Sequence, residues 1–158
     1  KEYGNEFTVA TVGTIKVTPH SVNVIPGTCT FSLEIRDQSA EVMKLIENHL
    51  RQLLEDICKK YGVTSTFVPT SYHDPAPMSE LVRGTIEEAV KELGIDYTVI
   101  PSGAFHDSLI MTSVFPTGMI FVPSKDGISH SRYEYTAPED IENGCNVLLN
   151  TVLKLDEK

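Results

Sequence analysis

The sequence has few cysteines, no long apolar run and no excess of positive charge. Its three cysteines, Cys29, Cys58 and Cys145, are an odd number and form no CxxC pair. Neither a zinc finger nor a redox dithiol is therefore indicated. Free thiols persist in reducing compartments, which predicts a cytoplasmic protein. No apolar run approaches the ~20 residues needed to cross a bilayer, and the first residues lack the pattern of a signal peptide.

Acidic residues outnumber basic ones, with 22 Asp and Glu against 13 Lys and Arg and a formal net charge of -9. Such a surface repels a phosphate backbone and an anionic membrane, so we expect neither nucleic acid nor a membrane as a partner. With 158 residues, 41% of them hydrophobic, the chain has a globular composition. Its length suits one ordinary domain or two small lobes.

The first half, residues 1–74, has the pattern of an antiparallel sheet with one long helix. Its predicted extended segments are residues 7–18, 21–25, 28–36 and 63–72. Gly13 indicates a bulge in the first of them. An amphipathic helix is predicted between Ser39, a suitable N-cap, and Gly62, a suitable C-terminal residue.

The second half, residues 75–158, alternates helix with apolar strand, which predicts a buried α/β layer. Two prolines in the segment HDPAPM, residues 73–78, favour a boundary there. Helices are predicted after Ser79, over residues 108–115 and after a capping-box pattern at Thr136. Strands are predicted over residues 96–100 and 118–123. The expected fold class is thus α+β for the first half and α/β for the second.

Two histidines lie where chemistry is expected. His106 and His130 each follow a predicted buried strand by a few residues, in the loops SGAFHDS and SKDGISHS. Ligands of open α/β sheets bind beyond the carboxyl ends of the strands, so both imidazoles can reach one site. Alternatively, each histidine bonds only to its own loop. Asp107 either orients one of these rings or caps the helix that follows.

Other side chains suit an acidic substrate. Arg36 offers a fork that matches a carboxylate, and Asn23 offers a donor and an acceptor. The simpler alternative is that Arg36 is solvated or pairs with Asp37 or Glu34 on the surface. Gly103 permits close backbone approach in the His106 loop. No GxSxG motif is present, which disfavours a serine nucleophile.

Three stretches carry a family resemblance. Residues 11–37 resemble the lid-domain signature of the N-carbamoyl-L-amino-acid hydrolase and allantoate amidohydrolase group, in the M20-type metallopeptidase superfamily. SGAFHD at 102–107 resembles that group's SGAGHD, and residues 119–136 resemble its MIFVPS-x-x-GISHSPEEYT. The resemblance implies a partial lid or dimerisation domain at 1–74. It implies the C-terminal part of a metallopeptidase-like catalytic domain at 75–158.

The resemblance also implies roles for individual residues. The group hydrolyses carbamoyl or ureido groups with two divalent metal ions, zinc or manganese. His130 falls on a metal ligand, and His106 falls where it contacts the substrate or supports the metal centre. Asn23 and Arg36 fall on residues that bind the carboxylate of a small-molecule substrate, and Gly103 lies in the same substrate loop as His106. The lid forms the group's dimer interface, so a homodimer is expected.

The sequence departs from the group's pattern in three ways. Phe105 replaces a small residue of SGAGHD, and Arg132 replaces the proline after HS. The group's other metal ligands, a His and Asp close together, a Glu-Glu pair and a further His, are not found. We therefore expect the C-terminal portion of an amidohydrolase that is inactive alone. The alternatives are a non-catalytic dimerisation or binding module and an aminoacylase or dipeptidase of the same superfamily.

Overall fold

A computed structural model describes residues 3–158 and divides the chain into two compact units, Lys1–Pro75 and Ala76–Lys158. The division falls within the proline-containing segment at 73–78, where proline rings restrict the backbone and interrupt regular structure. The mixture of helices with an antiparallel sheet confirms the expected mixed α/β class. The lid and catalytic roles of the two parts remain predictions.

The first unit contains an antiparallel pair of strands, β1 (Val9–Thr18) and β2 (Thr28–Arg36). Val9 pairs with Arg36 at one end of the ladder, and Thr18 pairs with Thr28 at the other. The register shifts between Val12 and Ile15, so β1 carries one extra residue there. This bulge lies at Gly13, as the sequence predicts.

The loop between the strands corrects one prediction. Residues 21–25 do not form an extended segment, because residues 22–23 form a turn and the chain bends at residue 24. Ser21 Oγ donates to Asn23 Oδ1 at 2.7 Å, and Gly27 N donates to Thr18 O at 2.9 Å. Short polar side chains that bond locally stabilise turns. The chain reverses here so that β2 can pair with β1.

A long helix, α1 (Ala40–Tyr61), packs against β2. Its start is confirmed, because the Ser39 side chain accepts a hydrogen bond from Val42 N at 3.3 Å. Its end is also confirmed: Gly62 has φ 66 and donates its N–H to Cys58 O. A left-handed residue without a Cβ satisfies the last carbonyls of a helix at little cost.

The second unit is built on two packed helices, α2 (Glu80–Glu92) and α4 (Pro138–Asp156). Five residues of these helices are buried: Thr85, Ala89, Val90, Val147 and Thr151. The two threonine hydroxyls donate to carbonyls of the preceding helical turn, which satisfies them. Ser79 caps α2 as predicted, accepting from Val82 N.

The two later helices differ from the predictions in length or in capping. A five-residue helix, α3 (Asp107–Met111), replaces the longer one predicted over 108–115. α4 begins at Pro138, and its N-cap residue is Ala137, without a side-chain cap. The predicted capping box at Thr136 is therefore wrong. Proline at the first helical position is favoured because it needs no N–H partner and its φ is already helical.

The predicted strands at 63–72, 96–100 and 118–123 are not confirmed. Among residues 3–158, β1 and β2 form the only sheet, so these segments have no ladder partner. A strand pattern produces a ladder only where a neighbouring strand offers its edge. The segment at 118–123 still packs against the helices. A Cβ built on Gly118 would lie 2.6 Å from Val82 Cγ1, and one on Gly144 would lie 2.6 Å from Val122 Cγ1.

No helix in the described part of the chain has the length and apolar character to cross a membrane. The three cysteines are free thiols, with Cys29 and Cys145 exposed.

Candidate functional site

His106 is the N-cap of α3, and its side chain is held by the backbone of that helix. Its Nδ1 accepts a hydrogen bond from Ser108 N at 3.1 Å and lies 2.9 Å from Ser108 Oγ. A backbone N–H can only donate, so Nδ1 carries no proton in this arrangement. The neutral ring therefore bears its proton on Nε2 and presents a hydrogen-bond donor there.

This capping corrects one of the roles considered for Asp107. The side chain that caps α3 is His106, whereas Asp107 occupies the first helical position. A carboxylate in the first turn is favoured by the helix dipole. The contacts that fix the His106 ring are made by Ser108 and not by Asp107. Loop bonding, the simpler alternative for His106, thus occurs at Nδ1 and leaves Nε2 for chemistry.

His130 lies in an exposed loop with an unusual backbone. It has φ 54, and Asp126 in the same loop has φ 57. For a residue with a Cβ, a left-handed conformation costs about 1–2 kcal/mol. Such conformations persist where surrounding contacts fix them, and they often occur at functional sites. The two flanks of the loop are joined by Lys125 N, which donates to Tyr135 O at 2.8 Å.

A carboxylate that the sequence reasoning missed holds the His130 backbone. Glu134 Oε2 accepts a hydrogen bond from His130 N at 2.8 Å. Glu134 N in turn donates to Ser131 O at 3.0 Å, closing a turn that follows the histidine. The signal available in the sequence was only an acidic residue four positions after a candidate ligand. That spacing alone does not distinguish a loop support from a solvated side chain.

Arg36 and Asn23 are not brought together in the ladder. Arg36 ends β2, where its Nη2 donates to Glu34 Oε1 at 2.8 Å between exposed side chains. Asn23 lies in the loop at the opposite end of the two strands. β2 has nine residues, so at about 3.3 Å per residue its ends are roughly 26 Å apart. The surface pair with Glu34 was the simpler alternative for Arg36, and it is present.

Gly103 and Phe105 lie in the exposed loop before α3. A Cβ on Gly103 would meet nothing within 4 Å in the described chain. The chain's own packing therefore does not require glycine at this position. Phe105 is 57% exposed beside His106. A large exposed aromatic side chain at this point can restrict which molecules approach the histidine.

The described residues do not by themselves assemble a cluster of metal-ligating side chains. Among residues 3–158, no group of three or more His, Cys, Asp or Glu side chains is arranged to hold a metal ion. A catalytic zinc site takes about three protein ligands. The exposed imidazole of His130 fits one ligand position, because neutral imidazole is a common metal ligand.

The chain is similar to curated amidohydrolases along almost its whole length. It is 40% identical to an N-carbamoyl-L-amino acid amidohydrolase of Geobacillus stearothermophilus, over 94% of the chain and 36% of the relative. It is 34% identical to an allantoate amidohydrolase of Bacillus subtilis, over 92% of the chain and 35% of that protein. The chain thus spans about a third of the length of these curated relatives.

Solved structures support the same relationship. The crystal structure described as AtUAH in complex with (S)-hydroxyglycine superposes with a TM-score of 0.89 at 34% identity, covering 99% of this chain and 37% of that one. The sequence profile of Peptidase family M20/M25/M40 matches residues 5–154. The resemblance of the three sequence stretches is thereby confirmed, and the chain belongs to Peptidase family M20/M25/M40.

Proposed function

We propose that this chain is part of a metal-dependent amidohydrolase. Its substrate would be an N-carbamoyl-L-amino acid or allantoate, cleaved at the carbamoyl or ureido C–N bond. The relationship to amidohydrolases along almost the whole chain carries this proposal. Two placements support it: the exposed His130 with its left-handed backbone, and the His106 ring whose Nδ1 is held by Ser108 N.

His130 would supply one ligand to a pair of divalent metal ions, zinc or manganese. When bound, such ions polarise a carbonyl and acidify water. The described residues supply too few donors to hold the ions, so we expect this chain to be inactive alone. The base and the remaining ligands would come from polypeptide outside these residues.

His106 would be the catalytic residue that this chain contributes. Because its Nδ1 accepts from Ser108 N, its Nε2–H is the group available to the substrate. That group can donate a hydrogen bond to the carbonyl oxygen of the carbamoyl group, where negative charge develops during attack. In this role His106 acts as a fixed donor rather than as a general base.

Arg36 and Asn23 would bind the substrate carboxylate, and Gly103 would let the backbone of its loop approach the substrate. Arg36 can exchange its exposed partner Glu34 for a substrate carboxylate. Because Arg36 and Asn23 lie at opposite ends of the ladder, we propose that residues meeting at one carboxylate come from two copies of the chain. A homodimer formed through the first unit, acting as a lid, would provide both copies. The free cysteines suit a cytoplasmic location.

The test uses the full-length protein that contains this chain, loaded with manganese or zinc. Ammonia release is measured with allantoate and with several N-carbamoyl-L-amino acids. We expect turnover with at least one of them, and none from residues 1–158 alone. Arg36→Ala should raise KM about ten- to a hundredfold, the effect of losing a hydrogen bond to a charged group. Arg83→Ala, an exposed arginine on α2, is the matched control and should leave KM unchanged.

Two results would contradict the proposal. Full-length protein that releases no ammonia from any of these substrates would favour the alternative of a non-catalytic dimerisation or binding module. The incomplete metal-binding set among the described residues is the observation that keeps this alternative open. Cleavage of simple amides with no cleavage of ureides would instead identify an aminoacylase or dipeptidase.

A further inference from the structure

One acidic side chain bonds to the backbone of the loop that carries His130. Glu134 Oε2 accepts from His130 N at 2.8 Å, and Glu134 N donates to Ser131 O at 3.0 Å. The glutamate therefore closes a small ring around the histidine backbone. A hydrogen bond to a charged acceptor is roughly twice as strong as a neutral one.

The conformation that this ring holds is one that histidine does not adopt readily. At φ 54 the backbone of His130 is left-handed. In an open loop the residue would relax to a negative φ, and its Cα–Cβ bond would then leave the loop in a different direction. Because the position of an imidazole follows the direction of that bond, a contact that fixes φ also fixes where the ring can reach.

The rest of the loop supports the same geometry without contacting the histidine. Lys125 N donates to Tyr135 O at 2.8 Å where the flanks meet, and Ser124 Oγ donates to Ile128 O at 2.5 Å. These bonds hold the flanks on either side of residues 129–134. Within that span Glu134 is the side chain that bonds directly to the His130 backbone.

We propose that Glu134 is a positioning residue, whose carboxylate holds the backbone of His130 in the left-handed conformation that lets its imidazole reach a metal ion. This inference rests on the proposed function, in which His130 is a metal ligand. Glu134 itself contacts neither the metal nor the substrate. Its side chain acts only as an acceptor for the His130 amide.

This role predicts that glutamine can replace glutamate but alanine cannot. Glu134→Gln keeps a side-chain carbonyl oxygen at the same distance from the backbone, so the hydrogen bond can still form. Glu134→Ala removes the acceptor. Mutation of a group that orients a metal ligand typically lowers the metal affinity by about 10–100-fold. Because Glu134 is exposed, we expect Glu134→Ala to lower the affinity for one metal ion by about tenfold, the lower end of this range.

The experiment measures manganese affinity by calorimetry in the full-length, metal-free protein. The variants are Glu134→Ala, Glu134→Gln, His130→Ala and the control Glu142→Ala, an exposed glutamate on α4. The urea midpoint of each metal-free variant is measured in parallel. We expect Glu134→Ala to lose about tenfold in the affinity of one ion. Glu134→Gln and Glu142→Ala should stay within about twofold of the parent, with little change in any urea midpoint.

The outcomes separate this inference from the proposed function. If His130→Ala does not weaken metal binding, His130 is not a metal ligand and the proposed function is contradicted on that point. If His130→Ala weakens one ion but Glu134→Ala does not, only the positioning role is overturned. Equal losses in Glu134→Ala and Glu134→Gln would overturn it as well, because the charge rather than the acceptor would then matter.

A fall in the urea midpoint together with weaker binding of both ions would indicate general loop damage and also overturn the positioning role. If Glu134→Ala does not fold, hydrogen exchange at the His130 amide tests whether that amide is hydrogen-bonded to the side chain of residue 134. Slow exchange in the parent and in Glu134→Gln supports the bond, and exchange as fast as in an open loop rejects it.

Discussion

Two glycines inside helices should respond in opposite ways to alanine. A Cβ on Gly84 in α2 would meet nothing within 4 Å, whereas a Cβ on Gly144 in α4 would lie 2.6 Å from Val122 Cγ1. Alanine in a helix interior is favoured over glycine by about 0.8–1.0 kcal/mol. Gly84→Ala should therefore increase the free energy of unfolding by roughly that amount.

Gly144→Ala has the same helical gain but also a steric cost. Overpacking a filled position costs about 1–3 kcal/mol, and valine is stiff about χ1, so Val122 cannot rotate away easily. The net change should lie between about zero and 2 kcal/mol of destabilisation. Because Val122 leads into the loop that carries His130, the displacement should also weaken metal binding in the full-length protein.

Urea unfolding of the two single variants and of Gly144→Ala combined with Val122→Ala provides the test. Removing the valine methyl groups should abolish the steric cost, so Gly144→Ala should become stabilising in the Val122→Ala background. Coupling of this kind is expected for residues in contact. If Gly144→Ala stabilises the parent as much as Gly84→Ala does, the packing of residues 118–123 against α4 is wrong.

Further predictions concern helix capping and acid stability. Ser39→Ala should cost about 1 kcal/mol in urea unfolding because the cap to Val42 N is lost, whereas Thr136→Ala should cost far less because no side-chain cap is formed there. Burial raises the pKa of the Asp37 carboxyl, but hydrogen bonds from Thr8 and the Ser39 backbone outweigh it and hold that pKa below its usual value of 3.8. The folded state thus gains stability above pH 3.8 and loses it as the pH falls through the lower folded pKa. Asp37→Asn should flatten this acid dependence in unfolding curves recorded between about pH 5 and pH 2; an unchanged acid dependence would show that Asp37 is not its source.

Features set by local chemistry were predictable from the sequence. As expected, Ser39 caps the start of α1, Gly62 caps its end, and Ser79 caps the start of α2. A cap depends on only a few neighbouring residues. The bulge at Gly13 was also predictable, because a residue without a Cβ is common where a strand is irregular. These features need no information about distant parts of the chain.

Features that depend on partners were not predictable. Residues 96–100 and 118–123 have strand-like sequences, but a ladder requires a neighbouring edge that the described residues do not provide. At Thr136 a capping pattern was present, but Pro138 set the start of the helix. His130 has a left-handed backbone and donates its N–H to Glu134 Oε2, and no propensity rule anticipates a side chain that bonds to one backbone amide.

The site was predictable as a set of residue types rather than as a geometry. His106 and His130 were identified as loop histidines, yet the sequence did not reveal that Ser108 N fixes the tautomer of His106. Likewise, Arg36 and Asn23 suit a carboxylate by their chemistry, but the sequence did not reveal that Arg36 pairs with Glu34 or that Asn23 lies in a turn.

The most direct test is a crystal structure of the full-length protein loaded with zinc, with the metal located by its anomalous signal. We predict a peak about 2.0–2.1 Å from an imidazole nitrogen of His130, the usual zinc–histidine distance. Metal ions bound in the protein with His130 outside their coordination sphere would contradict the account.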